Sequence, residues 1–268
     1  MRVIIEPNYD EVSRWTALYV ARKIQEFGPT PDKPFVLGLP TGSTPLGAYE
    51  EFVRLHRAGK ISFKNVVTFN MDEYVGIDEE HPESYRAFMW RHLFRSIDLP
   101  QQNINLLNGN APDLVAECER YENRIKQVGG IQLFLGGVGP DGHIAFNEPG
   151  SSLRSRTRIT TLNYDTLVAN SRFFDNDVNK VPKRALTVGV GTVADADEVL
   201  LMVNGHRKRW ALQQIIEAGV SHMCTASMLQ LHPNGIIVCD DEATAELKVG
   251  TVNYFKSIER DHLAPPEL

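Results

Sequence analysis

Residues 131–143 read IQLFLGGVGPDGH. A continuous apolar run that ends in glycines and a Pro-Asp-Gly turn is how a strand buried on both faces leaves a sheet. Comparable runs recur outward from it: RVIIE at 2, PFVLGL at 34, NVVTFN at 65, ALTVGVG at 185, EVLLMVN at 198 and GIIVCD at 235. Segments of helical periodicity lie between most of them. Val12, Val20, Ile24 and Phe27 mark one apolar stripe, and ESYRAFMWRHLF, LVAECERYENRIKQV and HRKRWALQQIIEAG carry others. Strand and helix in alternation predict an α/β fold: a single open, mostly parallel, Rossmann-like sheet with helices on both faces.

The chain has 268 residues, 42% of them hydrophobic, enough for a sizeable core. No repeat, low-complexity tract or linker divides it, which predicts one domain over 1–268. Residues 161–183, TLNYDTLVANSRFFDNDVNKVPK, are polar, long and weakly periodic, and are expected to form a mobile active-site lid. Residues 256–268 are expected to be a loosely held tail. With 28 basic against 34 acidic residues the net charge is -6, which offers no general field for nucleic acid or an anionic membrane surface. An anionic ligand therefore needs a local basic pocket. The apolar start is too short for a signal peptide, and no stretch approaches the roughly 20 apolar residues of a membrane span, so a cytoplasmic protein is expected. Cys118, Cys224 and Cys239 lack metal or pairing spacing and read as free thiols, with no structural zinc.

Three polar clusters each follow an apolar run: TGSTP at 41–45, NMDEY at 70–74 and GPDGH at 139–143. The carboxyl ends of strands are where open α/β sheets bind ligands, so the three can share one crevice. TGSTP reads as a helix start with Thr44 as N-cap and Pro45 as first helical residue. The same loop suits a monophosphate: Gly42 admits close approach, and the Ser43 and Thr44 hydroxyls and free N–H groups face the ligand. In NMDEY two adjacent acids either cap a helix in solvent or place one carboxylate beside a ligand; Asp72 and Glu73 must point in different directions. A carboxyl emerging from an apolar strand is desolvated toward the range of a general base. Pro-Asp-Gly is an ordinary turn signal, and a lone histidine is more often structural than catalytic. Asp141, His143 and Glu148 can nonetheless converge on one imidazole, with His143 the acid/base and the two carboxylates orienting it. No metal is called for by this spacing.

LGLPTGSTPLG, VVTFNMDEYVG, HPESYRAFMW, NINLLNGNA, GGVGPDGHIAFNEPGSSLRSRTRI, NSRFFDNDVNKVPKRALTVGVGT and ELKVGTVNYF together resemble the glucosamine-6-phosphate deaminase family, from Met1 to about Phe255. The resemblance implies conversion of glucosamine 6-phosphate and water to fructose 6-phosphate and ammonia, without cofactor or metal. It implies Asp72 as the base at carbon 2, His143 as the group that opens the pyranose ring, and Asp141 and Glu148 as its supports. It implies phosphate contacts from Ser43, Thr44, Arg172 and Lys208; the last two carry no signal of their own in the sequence. Many members are hexamers activated by N-acetylglucosamine 6-phosphate, and the matching positions are Met1, Ser151, Ser152, Arg158, Thr161 and Tyr254. Position 160, commonly lysine in allosteric members, is Thr160 here, which predicts weak activation or none. Two other readings are a 6-phosphogluconolactonase, disfavoured by the IAFNEPGSS continuation and the complete NMDEY, and a non-catalytic sugar-phosphate sensor, disfavoured by the lack of a basic helix-turn-helix.

Overall fold

Six of the seven apolar runs become neighbours in one sheet. In the computed structural model, which describes residues 1–265 and 267–268, these are β1 (Arg2–Glu6), β2 (Phe35–Leu39), β3 (Val66–Asn70), β6 (Leu133–Gly137), β9 (Glu198–Val203) and β10 (Gly235–Asp240). With a two-residue strand, β5 (Ile104–Asn105), they form a seven-stranded sheet in the order β1-β10-β9-β6-β2-β3-β5. Every pairing in it is parallel.

Alternation along the strands feeds two apolar layers. Ile4, Leu37, Leu200 and Ile236 face α1 (Tyr9–Phe27), α2 (Leu46–Arg57) and α3 (Tyr85–His92). Val3, Val36, Leu201 and Ile237 face the layer of α4 (Leu114–Gln127), α6 (Val190–Ala194) and α7 (Arg209–Glu217). Helices thus cover both faces, as the continuous apolar runs require. Cys118, Cys224 and Cys239 are buried and free. Among the described residues no helix is long and apolar enough to cross a membrane.

The run ALTVGVG departs from the expected single sheet. Its first part is β8 (Arg184–Thr187), which pairs antiparallel with β4 (Asp72–Tyr74) and β7 (Arg158–Thr161) in a separate three-stranded sheet. The run is cut at Gly189, and its remainder opens α6, so too little strand is left to cross the main layer. One residue, Met71, separates β3 from β4. Its N–H donates to the Leu39 carbonyl of the large sheet, and its carbonyl accepts from Val188 N–H beyond β8.

Segment 161–183 begins at the end of β7 and contains a helix that the weak periodicity did not signal, α5 (Tyr164–Ser171), with Asn163 as N-cap. Leu162, Leu167, Phe174 and Val181 of this segment pack with Tyr74, Ile77 and Phe146 in a third, smaller apolar cluster. The region 256–268 starts inside α8 (Val249–Ile258). Arg2 pairs with Glu259 at 2.8 Å, and Trp15 Nε1 donates to the His262 carbonyl at 2.8 Å. Pro266 lies outside the described residues.

At the carboxyl end of β1, Glu6 is buried beside Glu11 and Asp241, and its Oε1 has no hydrogen-bond partner among the described residues. Burial, then repulsion from Glu11 and Asp241, pushes its carboxyl from 4.5 up to about 7. The fold thus favours the protonated form: no penalty is present below the unfolded value, and it is complete above about pH 7. Glu6→Gln should raise stability at pH 8, on the order of 2 kcal/mol, and leave it unchanged at pH 4.5, read by urea unfolding at the two pH values.

Candidate active site

The direction of the chain across the sheet reverses between β2 and β6. After β2 it steps outward to β3 and β5; after β6 it steps the other way, to β9 and β10. Neighbouring loops diverge at such a point and leave a crevice at the carboxyl ends of the strands. A cavity of about 680 Å³ lies there. Gly42, Ser43, Thr44, Asp72, Asp141, His143, Arg172 and Lys208 all line it, so the three motifs and both remote cations meet in one place.

The loop after β2 turns through Gly42 at φ 91°, a conformation that favours glycine. Helix α2 starts one residue later than the pattern suggested: Pro45, not Thr44, is the N-cap, and no side chain of its own caps it. Tyr9 from α1 takes that task. Its hydroxyl accepts from Gly47 N–H at 2.9 Å and lies 3.1 Å from the Thr44 carbonyl. The Thr44 hydroxyl is thereby left for the cavity.

Asp72 and Glu73 diverge as strand geometry demands. Glu73 turns away from the cavity and accepts backbone N–H groups from Tyr74 at 2.9 Å, Tyr85 at 3.0 Å and Arg86 at 2.9 Å, anchoring the start of α3. Asp72 faces the cavity from a buried position, and no hydrogen bond among the described residues holds its carboxylate. Burial, reinforced by Glu73, pushes its carboxyl well above the ordinary range. It is a proton acceptor without a competing protein partner.

The loop after β6 is wound tightly. Gly139 N–H donates to the His143 carbonyl at 2.8 Å, and a Cβ on Gly139 would stand 2.4 Å from the imidazole, so only glycine lets the ring lie against the turn. His143 Nδ1 is 2.7 Å from Asp141 Oδ1 and 3.9 Å from Glu148 Oε2. The Asp141 contact lies off the ring N–H direction, so it acts through charge more than as an aligned hydrogen bond. Burial raises the Asp141 carboxyl, but the His143 ring and N–H outweigh burial and leave it below its usual value. Glu148 does not line the cavity; it stands behind the ring. The donor atoms of Asp141, His143 and Glu148 lie within 4.8 Å of one another, yet both carboxylates sit on the Nδ1 side, the arrangement that orients an imidazole for proton transfer through Nε2.

Lys208 ends a short turn after β9 and donates to the Val138 carbonyl at 2.5 Å. Burial lowers its ammonium from 10.5 to about 8, with Asp141 opposing that fall and Arg172 adding to it. Arg172 is the C-cap of α5, its guanidinium 4.6 Å from the centre of the Phe173 ring. Two cations and the loop that leads into α2 therefore line the same cavity as Asp72 and His143.

Tyr74, Tyr85 and Phe146 form an aromatic wall that the sequence reading did not select. Tyr74 was within reach, because residues i and i+2 of a strand share a face and Asp72 is its i−2 neighbour. The residues matched to an effector site divide. Arg158 donates to Asn147 Oδ1 at 2.7 Å and Ser151 Oγ at 3.0 Å, Ser152 Oγ accepts from Arg154 N–H, and Thr160 and Thr161 continue β7. Met1 lines a hollow of about 530 Å³ at the amino ends of the strands, and Tyr254 is 59% exposed on α8.

The family model described as glucosamine-6-phosphate isomerases/6-phosphogluconolactonase matches residues 7–237. A glucosamine-6-phosphate deaminase of Parabacteroides distasonis is 66% identical over 268 residues, covering 100% of this chain and 99% of that protein. A solved structure described as a monomeric glucosamine-6-phosphate deaminase is 40% identical, covers 91% of this chain and 99% of its own, and superposes with a TM-score of 0.87. A 6-phosphogluconolactonase from Trypanosoma cruzi, at 19% identity over 92% of this chain and 97% of its own with a TM-score of 0.71, shares the fold. With 66% identity along its whole length to one such deaminase, and a family model that matches residues 7–237, the chain belongs to the glucosamine-6-phosphate deaminase family.

Proposed function

We propose that the chain converts glucosamine 6-phosphate and water to fructose 6-phosphate and ammonia. The carrying observation is one cavity in which a buried, unpartnered Asp72 and a carboxylate-flanked His143 share the wall with Ser43, Thr44, Arg172 and Lys208. The chemistry needs two proton-transfer groups and one anion grip. His143, oriented by Asp141 and Glu148, moves a proton at the ring oxygen so that the pyranose opens. Asp72 then takes the proton from carbon 2 and returns it at carbon 1, giving the ketose skeleton. Loss of the amine as ammonia with uptake of water completes the balance. Phosphate held by the loop, Arg172 and Lys208, away from the reacting carbons, fixes the open chain between the two groups.

In this reading the whole chain, 1–268, acts as one catalytic domain and segment 161–183 is the lid. α5 carries Arg172 at one end, and Asn170 Nδ2 donates to the Tyr74 hydroxyl at 2.9 Å beneath it, so a phosphate on Arg172 bears directly on the position of the segment. No metal or cofactor takes part. The residues Met1, Ser151, Ser152, Arg158, Thr160, Thr161 and Tyr254 would form an effector site for N-acetylglucosamine 6-phosphate only if subunits join, as in a hexamer. Thr160 supplies no charge there, and Arg158 already bonds to Asn147 and Ser151.

Incubation with glucosamine 6-phosphate should release ammonia and fructose 6-phosphate in equal amounts; absence of both from folded protein would end this reading. Asp72→Asn should abolish turnover and leave fructose 6-phosphate binding within a few-fold, whereas loss of binding in step with turnover would remove Asp72 from the role of base. Because the Lys208 ammonium loses its proton near pH 8, affinity for fructose 6-phosphate should fall as pH rises from 7 to 9. Lys208→Gln should bind weakly throughout that window without the fall, as calorimetric titration would show. Substrate saturation should be hyperbolic and respond less than tenfold to N-acetylglucosamine 6-phosphate; a sigmoidal curve abolished by the effector would contradict that expectation.

A further inference from the structure

Asn163 spends both ends of its carboxamide. Its Oδ1 accepts from Thr166 N–H at 2.7 Å and so caps α5, while its Nδ2 donates to Glu148 Oε2 at 2.5 Å. The same Glu148 oxygen is the one that stands 3.9 Å from His143 Nδ1. Asn163 N–H adds a weaker contact to Glu148 Oε1 at 3.4 Å. The carboxylate is therefore shared between an imidazole and the N-cap of a helix. The other end of that helix, roughly 12 Å away at 1.5 Å per residue, is Arg172 in the cavity.

We propose that Asn163 is a positioning residue for the reaction, holding Glu148 off His143 and tying that separation to the placement of α5. This rests on the functional reading above and deepens it, by giving the 161–183 segment a grip, through Glu148, on the proton-transferring group. When α5 is docked as described, Glu148 is held by Asn163 and the ring feels Asp141 as its near carboxylate. Displacement of α5 releases Glu148, which can then close on Nδ1 and hold the imidazolium more tightly. The carboxylates nearest His143 are Asp141 and Glu148 of its own loop, with Lys208 and Cys224 beside Asp141; the other carboxylate, cationic and imidazole groups lining the cavity are Asp72, Glu83, Arg91, His92, Asp165 and Arg172. Asn163 brings no charge of its own. It acts only through where it places one.

The test is the titration of the His143 imidazole, followed by NMR in the ligand-free protein, alongside the pH profile of kcat. Asn163→Ala frees Glu148 and should move the His143 midpoint up by about one pH unit, as expected for a carboxylate closing from 3.9 Å to contact. Adding Asn163→Ala to Glu148→Gln should produce no shift relative to Glu148→Gln alone. Asn163→Ser keeps a neutral capping oxygen but is too short to hold Glu148 as the carboxamide does, so it should retain α5 and still shift the midpoint. A midpoint unmoved in Asn163→Ala and Asn163→Ser overturns the proposal. So does a shift that persists without the Glu148 carboxylate, or a change confined to KM and cured by Asn163→Ser, which is helix capping alone. If the wild-type protein released no ammonia from glucosamine 6-phosphate, the functional reading would fall, and the NMR titration would still decide the role of Asn163.

Discussion

Seven parallel strands buried on both faces leave polar side chains little place except the strand ends. Most backbone N–H and C=O groups inside the layer are taken by a neighbouring strand, and most inward side chains by an apolar cluster. Chemistry is thereby forced to the rim, and the reversal of winding between β2 and β6 decides where on the rim. Two loops that part company there open the cavity, one bringing hydroxyls and N–H groups, the other an imidazole. Asp72 arrives from the next strand over, through a chain that leaves the large sheet at Asn70 and enters the small one two residues later.

The electrostatics of the cavity follow from the same burial. Asp72 and Asp141 are both carboxylates near one ligand space, yet burial drives one up while the charge and N–H of His143 draw the other down. Environments that separate like groups in this way allow one to accept a proton while the other stays charged. Lys208 is softened by the same exclusion of water, so its charge becomes sensitive to pH just above neutrality. Glu73, adjacent to Asp72, is removed from the contest by three backbone donors at the head of α3.

The parallel sheet was legible because IQLFLGG, PFVLGL and GIIVCD are uninterrupted apolar runs, which only a doubly covered strand tolerates. ALTVGVG looked the same and behaved differently, since a glycine cut it and tertiary pairing with Asp72–Tyr74 overrode composition. α5 escaped notice because its apolar residues serve a small cluster rather than a long stripe, although Asn163 ahead of Tyr164 and Asp165 is a capping signal. Of the cavity, the three motif loops could be read from residue type and strand position. Arg172 and Lys208 could not, because whether a cation lines a cavity or sits in solvent depends on the walls around it, and those walls come from distant segments. The turn that starts α2 was misplaced by one residue because its cap is Tyr9, more than thirty positions upstream.

Asp72 belongs to the three-stranded sheet, and His143 to a loop of the seven-stranded one. The spacing between them is therefore not a property of either sheet but of the seam that joins them, where Met71 hangs by its N–H from Leu39 and by its carbonyl from Val188. A core substitution that tilts one sheet against the other by a fraction of an ångström would leave both groups intact, their neighbours undisturbed, and the span between them across the cavity altered. In this architecture, tolerance to mutation is to be mapped by distance from that seam, not by distance from the cavity.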